Sequence, residues 1–360
     1  MKETDLQNAE GLQDSPRLQI VAWEVTRSCN LSCIHCRASS DSGPYPHEFD
    51  TEGALTVIDQ ISEVGQPIVI LTGGEPLLRK DIFTLATYGA KKGLRMVMGS
   101  NGTLVTSDRA KQISQSGIKR VSISLDGATS ESHDQFRQVS GAFVRALEGI
   151  ARLKEQGVEF QINTTLTRQN VSEAKDILDL SVRLGAVAHH VFLLVPTGRA
   201  KEMATPELTA KEYEDTLYWF YQQQGVVPLQ LKATCAPQFH RISLQAARAK
   251  GEKVGQKTHG LDAVTRGCLA GISYCFISHE GAVQPCGYLD LSAGDLRESA
   301  FRDIWDHSPI FEKLRDFSYY KGKCGRCEYL AVCGGCRARA YASTGDYLEQ
   351  EPLCAYNPSG

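Results

Sequence analysis

Between Leu18 and Val227 the chain alternates short apolar runs with amphipathic stretches. The runs LQIVAWEV, PIVILT, RMVMGS, RVSISLD, EFQINTT and HVFLLV are almost continuously apolar, as parallel strands covered on both faces require. Between them TEGALTVIDQISEV, DIFTLATYGAKK and AFVRALEGIARLKEQ repeat at the helical period. Gly65, Gly93, Gly117, Gly157 and Gly185 each close a helical stretch before a strand, where a left-handed glycine stops a helix cheaply. Six such units predict an α/β fold, either an open doubly wound sheet or a barrel.

The unusual residues fall at one end of these units. The cysteine loop Cys29–Cys36 follows the first strand and Gly73-Gly74-Glu75-Pro76 the second. Ser100-Asn101-Gly102 follows the third, and Ser124-Leu125-Asp126-Gly127 ends the fourth. Asn163, Thr164 and Thr165 end the fifth, and Pro196-Thr197-Gly198-Arg199 follows the sixth. All lie at strand C-termini and so converge on one mouth.

From Leu229 to Arg266 the pattern changes to polar helices around KATCAPQFHRI, and a cysteine-dense, glycine-rich region runs from Cys268 to Cys354. The expected organisation is a mobile polar tail (1–17), a βα core (18–228), a bridging, substrate-contacting segment (229–266) and a cysteine-rich domain (267–360). The aromatic stretch Tyr213–Tyr221 has helical spacing and reads as packing against the core.

Composition narrows the function. A net charge of −3 gives no basic field for nucleic acid, and no apolar run approaches the roughly 20 residues that span a bilayer. The 12 cysteines, behind an N-terminus (MKETDLQNAEGLQDSP) that is no export signal, point to metal or redox chemistry in a reducing cytoplasm.

Cys29, Cys33 and Cys36 have CxxxCxxC spacing. Three thiolates can hold three irons of a [4Fe–4S] cluster and leave the fourth open to a small molecule. The alternative is a closed zinc site with His35 as fourth ligand. The spacing resembles the radical S-adenosylmethionine (radical SAM) enzymes, and six βα units resemble their partial (βα)6 barrel. The resemblance implies that SAM occupies the open iron. Carbonyls of Gly73 and Gly74 with Glu75, in the GGEP turn closed by Pro76, would then receive its amino group. Ser122, Ser124 and Asp126 would meet the ribose, and Arg137 the carboxylate. Asn101, Asn163 and Thr165 are further polar contacts, each of which reads equally well as a satisfied turn residue. His35 stands where the family often has an aromatic residue.

Cys324-x2-Cys327-x5-Cys333-x2-Cys336, followed by Cys354 and preceded by Cys268, Cys275 and Cys286, resembles the SPASM extension with its auxiliary [4Fe–4S] clusters. The family form has three residues before the fourth cysteine of the central run, where this chain has two, Gly334 and Gly335. The resemblance implies one cluster on Cys324, Cys327, Cys333 and Cys354, and a possible second on Cys268, Cys275, Cys286 and Cys336. A zinc module suits CxxC pairs as well.

LQIVAWEVTRSCNLSCIHCRA, LLVPTGRA, KATCAPQFHRI, GCLAGISYCFIS, VQPCGYLD and KCGRCEYLAVCGGCRARAY resemble the heme b synthase family of the siroheme-dependent pathway. That family oxidatively decarboxylates two propionates of Fe-coproporphyrin III to vinyls, cleaving SAM to methionine and 5′-deoxyadenosine, with a low-potential donor such as ferredoxin or flavodoxin. An iron porphyrin needs apolar walls and cations, for which Arg199, Lys232, Arg241 and Arg266 are candidates, and Cys235 or His240 is a candidate iron ligand. The alternatives are a didecarboxysiroheme deacetylase, a peptide-modifying SPASM enzyme, and a non-enzymatic iron–sulfur carrier or zinc protein.

Overall fold

The computed structural model describes residues 17–203, 207–251 and 266–359. The expected tail, apart from residue 17, and residues 252–265 of the expected bridging segment lie outside them. Six strands follow the apolar runs: β1 (Ile20–Thr26), β2 (Ile68–Gly73), β3 (Arg95–Ser100), β4 (Val121–Ser124), β5 (Phe160–Leu166) and β6 (Ala188–Leu193). Each pairs in parallel with the next in sequence.

Two additions were not foreseen. Gln230–Thr234, expected within a polar helical segment, is a seventh parallel strand, β7, beside β6. Only Leu231 and Ala233 carry its buried face, too short an alternation to stand out in the sequence. The cysteine-rich region supplies β8 (Tyr274–Ile277), parallel to β1, followed by antiparallel β9 (Ala282–Gln284) and β10 (Gly294–Asp295). The sheet therefore runs β10-β9-β8-β1-β2-β3-β4-β5-β6-β7.

The main core lies between the sheet and its helices. Val21, Trp23 and Val25 of β1, Val69 and Leu71 of β2, and Met96 and Met98 of β3 share it with Ala54, Val57, Ile58 and Ile61 of helix Thr51–Val64. These side chains are at most 1% exposed, and each large one contributes about 1.5–3 kcal/mol of burial. Asp50 caps that helix by accepting the Gly53 N–H at 2.9 Å. Gly93, Gly117, Gly157 and Gly185 are left-handed as expected, but Gly65, with φ 162°, is extended and stops its helix without that conformation. Tyr213, Leu217, Phe220 and Tyr221 form the buried face of helix Ala210–Gln222, as their spacing implied.

Strand alternation sends the other face inward. Ser122 and Ser124 of β4, Asn163 and Thr165 of β5, His190 of β6 and Lys232 of β7 are only half-buried between buried neighbours and line the concave side. On β1 that face carries Glu24 and Thr26, both buried. A polar lumen thus opens toward the loops at the strand C-termini.

Candidate active site

The loop after β1 presents Cys29, Cys33 and Cys36 with hydrogen-bond donors already aimed at each sulfur. Leu31 N–H donates to Cys29 Sγ at 3.4 Å, Ser40 N–H to Cys36 Sγ at 3.4 Å, and Arg137 Nη1 to Cys33 Sγ at 3.5 Å. Asn101 Nδ2 is 4.0 Å from Cys29 Sγ. Burial pushes the Cys29 thiol up to about 12 and also raises Cys33, so bare thiolates are unfavourable there. Iron would reverse that preference, and the donors suit metal-bound thiolate, so the three residues fit an iron–sulfur cluster. His35 packs on Phe136 (4.4 Å between centroids) with Nε2 3.9 Å from Asp126. Burial lowers its pKa to about 4, which keeps the ring neutral.

The loop is clamped from above. Arg199 donates from Nε to Cys33 O and from Nη1 to Ser40 O, both at 2.8 Å, and its N–H reaches Cys36 O at 3.0 Å. A Cβ on Gly198 would lie 2.3 Å from the carbonyl oxygens of both Cys36 and Arg37, so only glycine lets the segments touch. Arg199, a candidate substrate cation, makes these contacts to the cysteine loop.

The GGEP turn presses on the approach to that loop. Gly74 N–H donates to Thr26 O and Glu75 N–H to Ser28 O, each at 2.8 Å. A Cβ on Gly74 would sit 2.3 Å from Ser28 O. Glu75 is fully buried, and its carboxylate accepts from Leu77 N (3.1 Å), Asn101 N (2.8 Å) and Ser100 Oγ (2.9 Å). Burial raises its pKa against these three donors. Its oxygens therefore tie the β2 turn to the β3 turn, leaving carbonyls as the turn's acceptors for an incoming ammonium. Asn101 is similarly engaged, with Nδ2 on Asn30 Oδ1 (2.9 Å) and Oδ1 accepting from Thr103 N (2.9 Å).

Asp126 and Arg137 form a buried ion pair. Burial opposes the Asp126 charge, but Arg137, His35, His133 and the Thr165 N–H together outweigh it and hold the carboxyl below the usual range. Asp126 Oδ1 also accepts the Thr165 N–H at 2.7 Å. Asn163 Oδ1 accepts from Gln161 Nε2 (2.9 Å), which also meets His190 Nδ1 (3.0 Å). Ser122 and Ser124 stay on the lumen face beside them.

The C-terminal cysteines fall into separate places. Cys324, Cys327, Cys333 and Cys354 line one cavity with Gly334, Gly335 and Arg241. Tyr329 N–H donates to Cys327 Sγ (3.4 Å), and Glu351 N–H (3.4 Å) and Arg337 Nη2 (3.5 Å) to Cys324 Sγ. Four sulfurs around one cavity with N–H donors behind them fit an auxiliary cluster. Arg241 belongs to this wall: it pairs with Glu214 and lies 5.0 Å over the Tyr356 ring. Cys286 and Cys336 lie together elsewhere, and Cys275 is buried in the main core. Arg266 lies 3.8 Å over the Phe317 ring. His240 is half-buried against Phe239, and Lys232 stands opposite His190 across β6 and β7.

Two arginine junctions escaped the sequence reading. Arg37, directly after Cys36, donates to Glu24 Oε2 at 2.6 Å and to Gly287 O at 3.2 Å. Arg339 donates to Glu351 (3.1 Å), Leu193 O (3.1 Å), Leu194 O (2.9 Å) and Cys235 O (3.1 Å), joining helix Arg337–Thr344 to the ends of β6 and β7. The visible signal was RARA directly after a cysteine run, without anything to say that its arginines are buried.

Comparison with known proteins agrees with this geometry. Residues 23–181 match the radical SAM superfamily, and residues 268–336 match the SPASM iron-sulfur cluster-binding domain. A protein of Nitratidesulfovibrio vulgaris named AdoMet-dependent heme synthase is 52% identical over 344 residues, 96% of this chain and 94% of the relative. Its namesake from Methanosarcina barkeri is 50% identical over 96% and 98%, and the Fe-coproporphyrin III synthase of that organism is 30% identical over 93% and 87%. Streptococcus suis SuiB bound to S-adenosylmethionine shares the fold, with a TM-score of 0.73 at 17% identity over 98% of this chain and 82% of that one. Its cofactors are thus a SAM-binding [4Fe–4S] cluster and auxiliary iron–sulfur clusters. The chain is a radical SAM enzyme with a SPASM domain and belongs to the family of the AdoMet-dependent heme synthases.

Proposed function

We propose that the enzyme converts two propionates of Fe-coproporphyrin III to vinyls, giving heme b. The observation that carries this reading is identity of 50–52% to AdoMet-dependent heme synthases along almost the whole chain, against 30% to the Fe-coproporphyrin III synthase. When bound, the reduced cluster supplies the one-electron cleavage of SAM that yields methionine and a hydrogen-abstracting 5′-deoxyadenosyl group. Each turnover balances: one hydrogen goes to 5′-deoxyadenosine, the carboxyl leaves as CO2, and the electron released equals the one consumed.

The chain's own groups bind, orient and exclude water. Cys29, Cys33 and Cys36 are the proposed ligands of the SAM cluster, and Cys324, Cys327, Cys333 and Cys354 those of an auxiliary cluster. Carbonyls of Gly73 and Gly74 would take the methionine ammonium, and Ser122, Ser124, Asn163 and Thr165 the ribose side of the lumen. Arg137 shares its charge between Asp126 and Cys33, and so orients the loop as well as any carboxylate nearby. Lys232 faces the lumen from β7, where a propionate can pair with it. Arg199 also holds the cysteine loop and Arg241 pairs with Glu214, so each already has a partner besides any propionate.

The test is an anaerobic incubation of the reconstituted enzyme with reductant, SAM and Fe-coproporphyrin III, followed by mass spectrometry. Stepwise loss of two CO2 with matching 5′-deoxyadenosine supports the reading. SAM cleavage with unchanged porphyrin rejects this substrate and turns the search to didecarboxysiroheme. Either a flavodoxin or a ferredoxin is the expected donor, separable by substituting each for the chemical reductant.

A further inference from the structure

We infer that Cys235 completes a four-cysteine iron–sulfur site with Cys268, Cys286 and Cys336, and that Cys275 takes no part in it. This rests on the C-terminal cysteines holding clusters and not on the identity of the porphyrin.

Cys275 sits on β8 opposite Val21 of β1, with no exposure, in the core that also holds Ile277, Val283 and Trp305. Strand alternation puts Cys275 and Ile277 on the same helix-covered face. A cluster there would displace the packing that fixes β8 against β1. Cys286 and Cys336 lie elsewhere, in a separate apolar patch built on Val195, Leu289 and Ala338, and Cys235 packs into that same patch. Cys268 is brought to the same place by its neighbours: a Cβ on Gly267 would lie 2.6 Å from Pro237, two residues after Cys235, and the Cys268 N–H donates to Cys333 O at 3.1 Å, three residues before Cys336. Four cysteines from four segments thus share one neighbourhood, and Cys275 is outside it.

The backbone at Cys235 is held for this purpose. Its φ of +55° is left-handed, a conformation that a residue with a side chain adopts only when its surroundings impose it. The imposing contacts are on its carbonyl, which accepts from Tyr213 Oη at 3.0 Å and Arg339 Nη2 at 3.1 Å. With the carbonyl so held, Cys235 packs into the patch that contains Cys286 and Cys336. Cys336 is fixed in turn by its N–H, which donates to Glu351 Oε2 at 2.7 Å, and Cys268 by its N–H on Cys333 O at 3.1 Å.

Four thiolates occupy all four irons of a cube. This site then offers no open iron to a propionate, which suits it to passing electrons and not to anchoring substrate. The SAM loop, with three cysteines, keeps its opening.

The test starts from a Cys29→Ala, Cys33→Ala, Cys36→Ala background, so that the remaining iron is auxiliary. Each protein is reconstituted anaerobically, and iron content, Mössbauer and EPR spectra are measured. The background should hold about eight irons per chain, and addition of Cys275→Ala should leave count and spectra unchanged. Addition of Cys235→Ala should lower the count toward about four, or leave a [3Fe–4S] signal. Cys235→Gly suits the left-handed backbone, so it separates loss of the thiol from misfolding and should match Cys235→Ala. Full iron with unchanged spectra in Cys235→Gly would overturn the assignment, as would loss of a cluster in a folded Cys275→Ala variant.

Discussion

Glu24 of β1 and Arg37 of the cysteine loop meet at 2.6 Å in a buried ion pair, and His279 Nδ1 approaches the other Glu24 oxygen at 2.7 Å. One carboxylate thus joins the first barrel strand, the loop that ends at Cys36 and the segment after β8. Burial would raise the Glu24 pKa, but Arg37 and His279 together hold it at about 2, below its ordinary 4.5. A depressed carboxylate contributes stability that is complete above the unfolded pKa and fades as pH falls toward the folded one. The window is therefore pH 4.5 down to about 2.

The cluster-free protein should lose on the order of 3 kcal/mol from this group across that window. Glu24→Gln should be destabilised near neutrality by a similar amount and show a flatter acid limb. Anaerobic denaturation curves of both proteins from pH 7 to pH 2 check this. Parallel acid limbs would show that the pair does not govern acid stability.

A second prediction contrasts two glycines. At Gly74 a Cβ would lie 2.3 Å from Ser28 O and 2.5 Å from Arg27 O, both backbone atoms that cannot step aside cheaply. At Gly65 it would meet nothing within 4 Å, and the backbone there is extended. Gly74→Ala should cost about 1–3 kcal/mol and weaken SAM binding roughly tenfold by moving the turn off the cysteine loop. Gly65→Ala should stay within about 0.5 kcal/mol of the parent. Thermal melts and equilibrium dialysis with labelled SAM measure both.

Local chemistry was readable from the chain, and partner choice was not. CxxxCxxC is contiguous, so its three cysteines and their loop needed no tertiary information, and the six long apolar runs declared their strands. β7 was hidden because a short edge strand with Lys232 and Thr234 on its lumen face carries only two buried side chains. Arg199 and Arg241 were read as substrate cations because residue type reveals a charge but not its acceptor. The acceptors are carbonyls of Cys33 and Ser40 for one and Glu214 for the other, 166, 159 and 27 residues away along the chain. Glu75 was legible as an acid at the site, yet its donors come from the next strand's turn.

Arg199 gives a third prediction, which separates its two readings. Its side chain makes two hydrogen bonds to carbonyls of the cysteine loop, and charged bonds of this kind are each worth about 1.5–3 kcal/mol. Arg199→Gln should therefore lower iron retention at the SAM cluster and slow SAM cleavage by roughly tenfold or more. Binding of the porphyrin, followed by absorbance titration, should hardly change. Weaker porphyrin binding with full iron content would restore the substrate role.

The last prediction concerns the buried pair Arg339–Glu351, each residue 1% exposed. Removing one partner of a buried ion pair strands the other charge and typically costs about 3–5 kcal/mol, whereas replacing both with apolar residues costs much less. Here the arginine also satisfies the carbonyls of Leu193, Leu194 and Cys235, so the two single variants should differ. Arg339→Met should be the more harmful, because it strands Glu351 and three acceptors together. Glu351→Leu leaves Arg339 with those carbonyls but removes the acceptor of the Cys336 N–H. A double-mutant cycle on chemical denaturation of the cluster-free protein should show the double variant less destabilised than the sum of the singles. Because Arg339 pins the Cys235 carbonyl and Glu351 the Cys336 amide, both singles should also retain less auxiliary iron after reconstitution. Additive energies with unchanged iron would mean that the pair holds neither the domain junction nor the cysteines beside it.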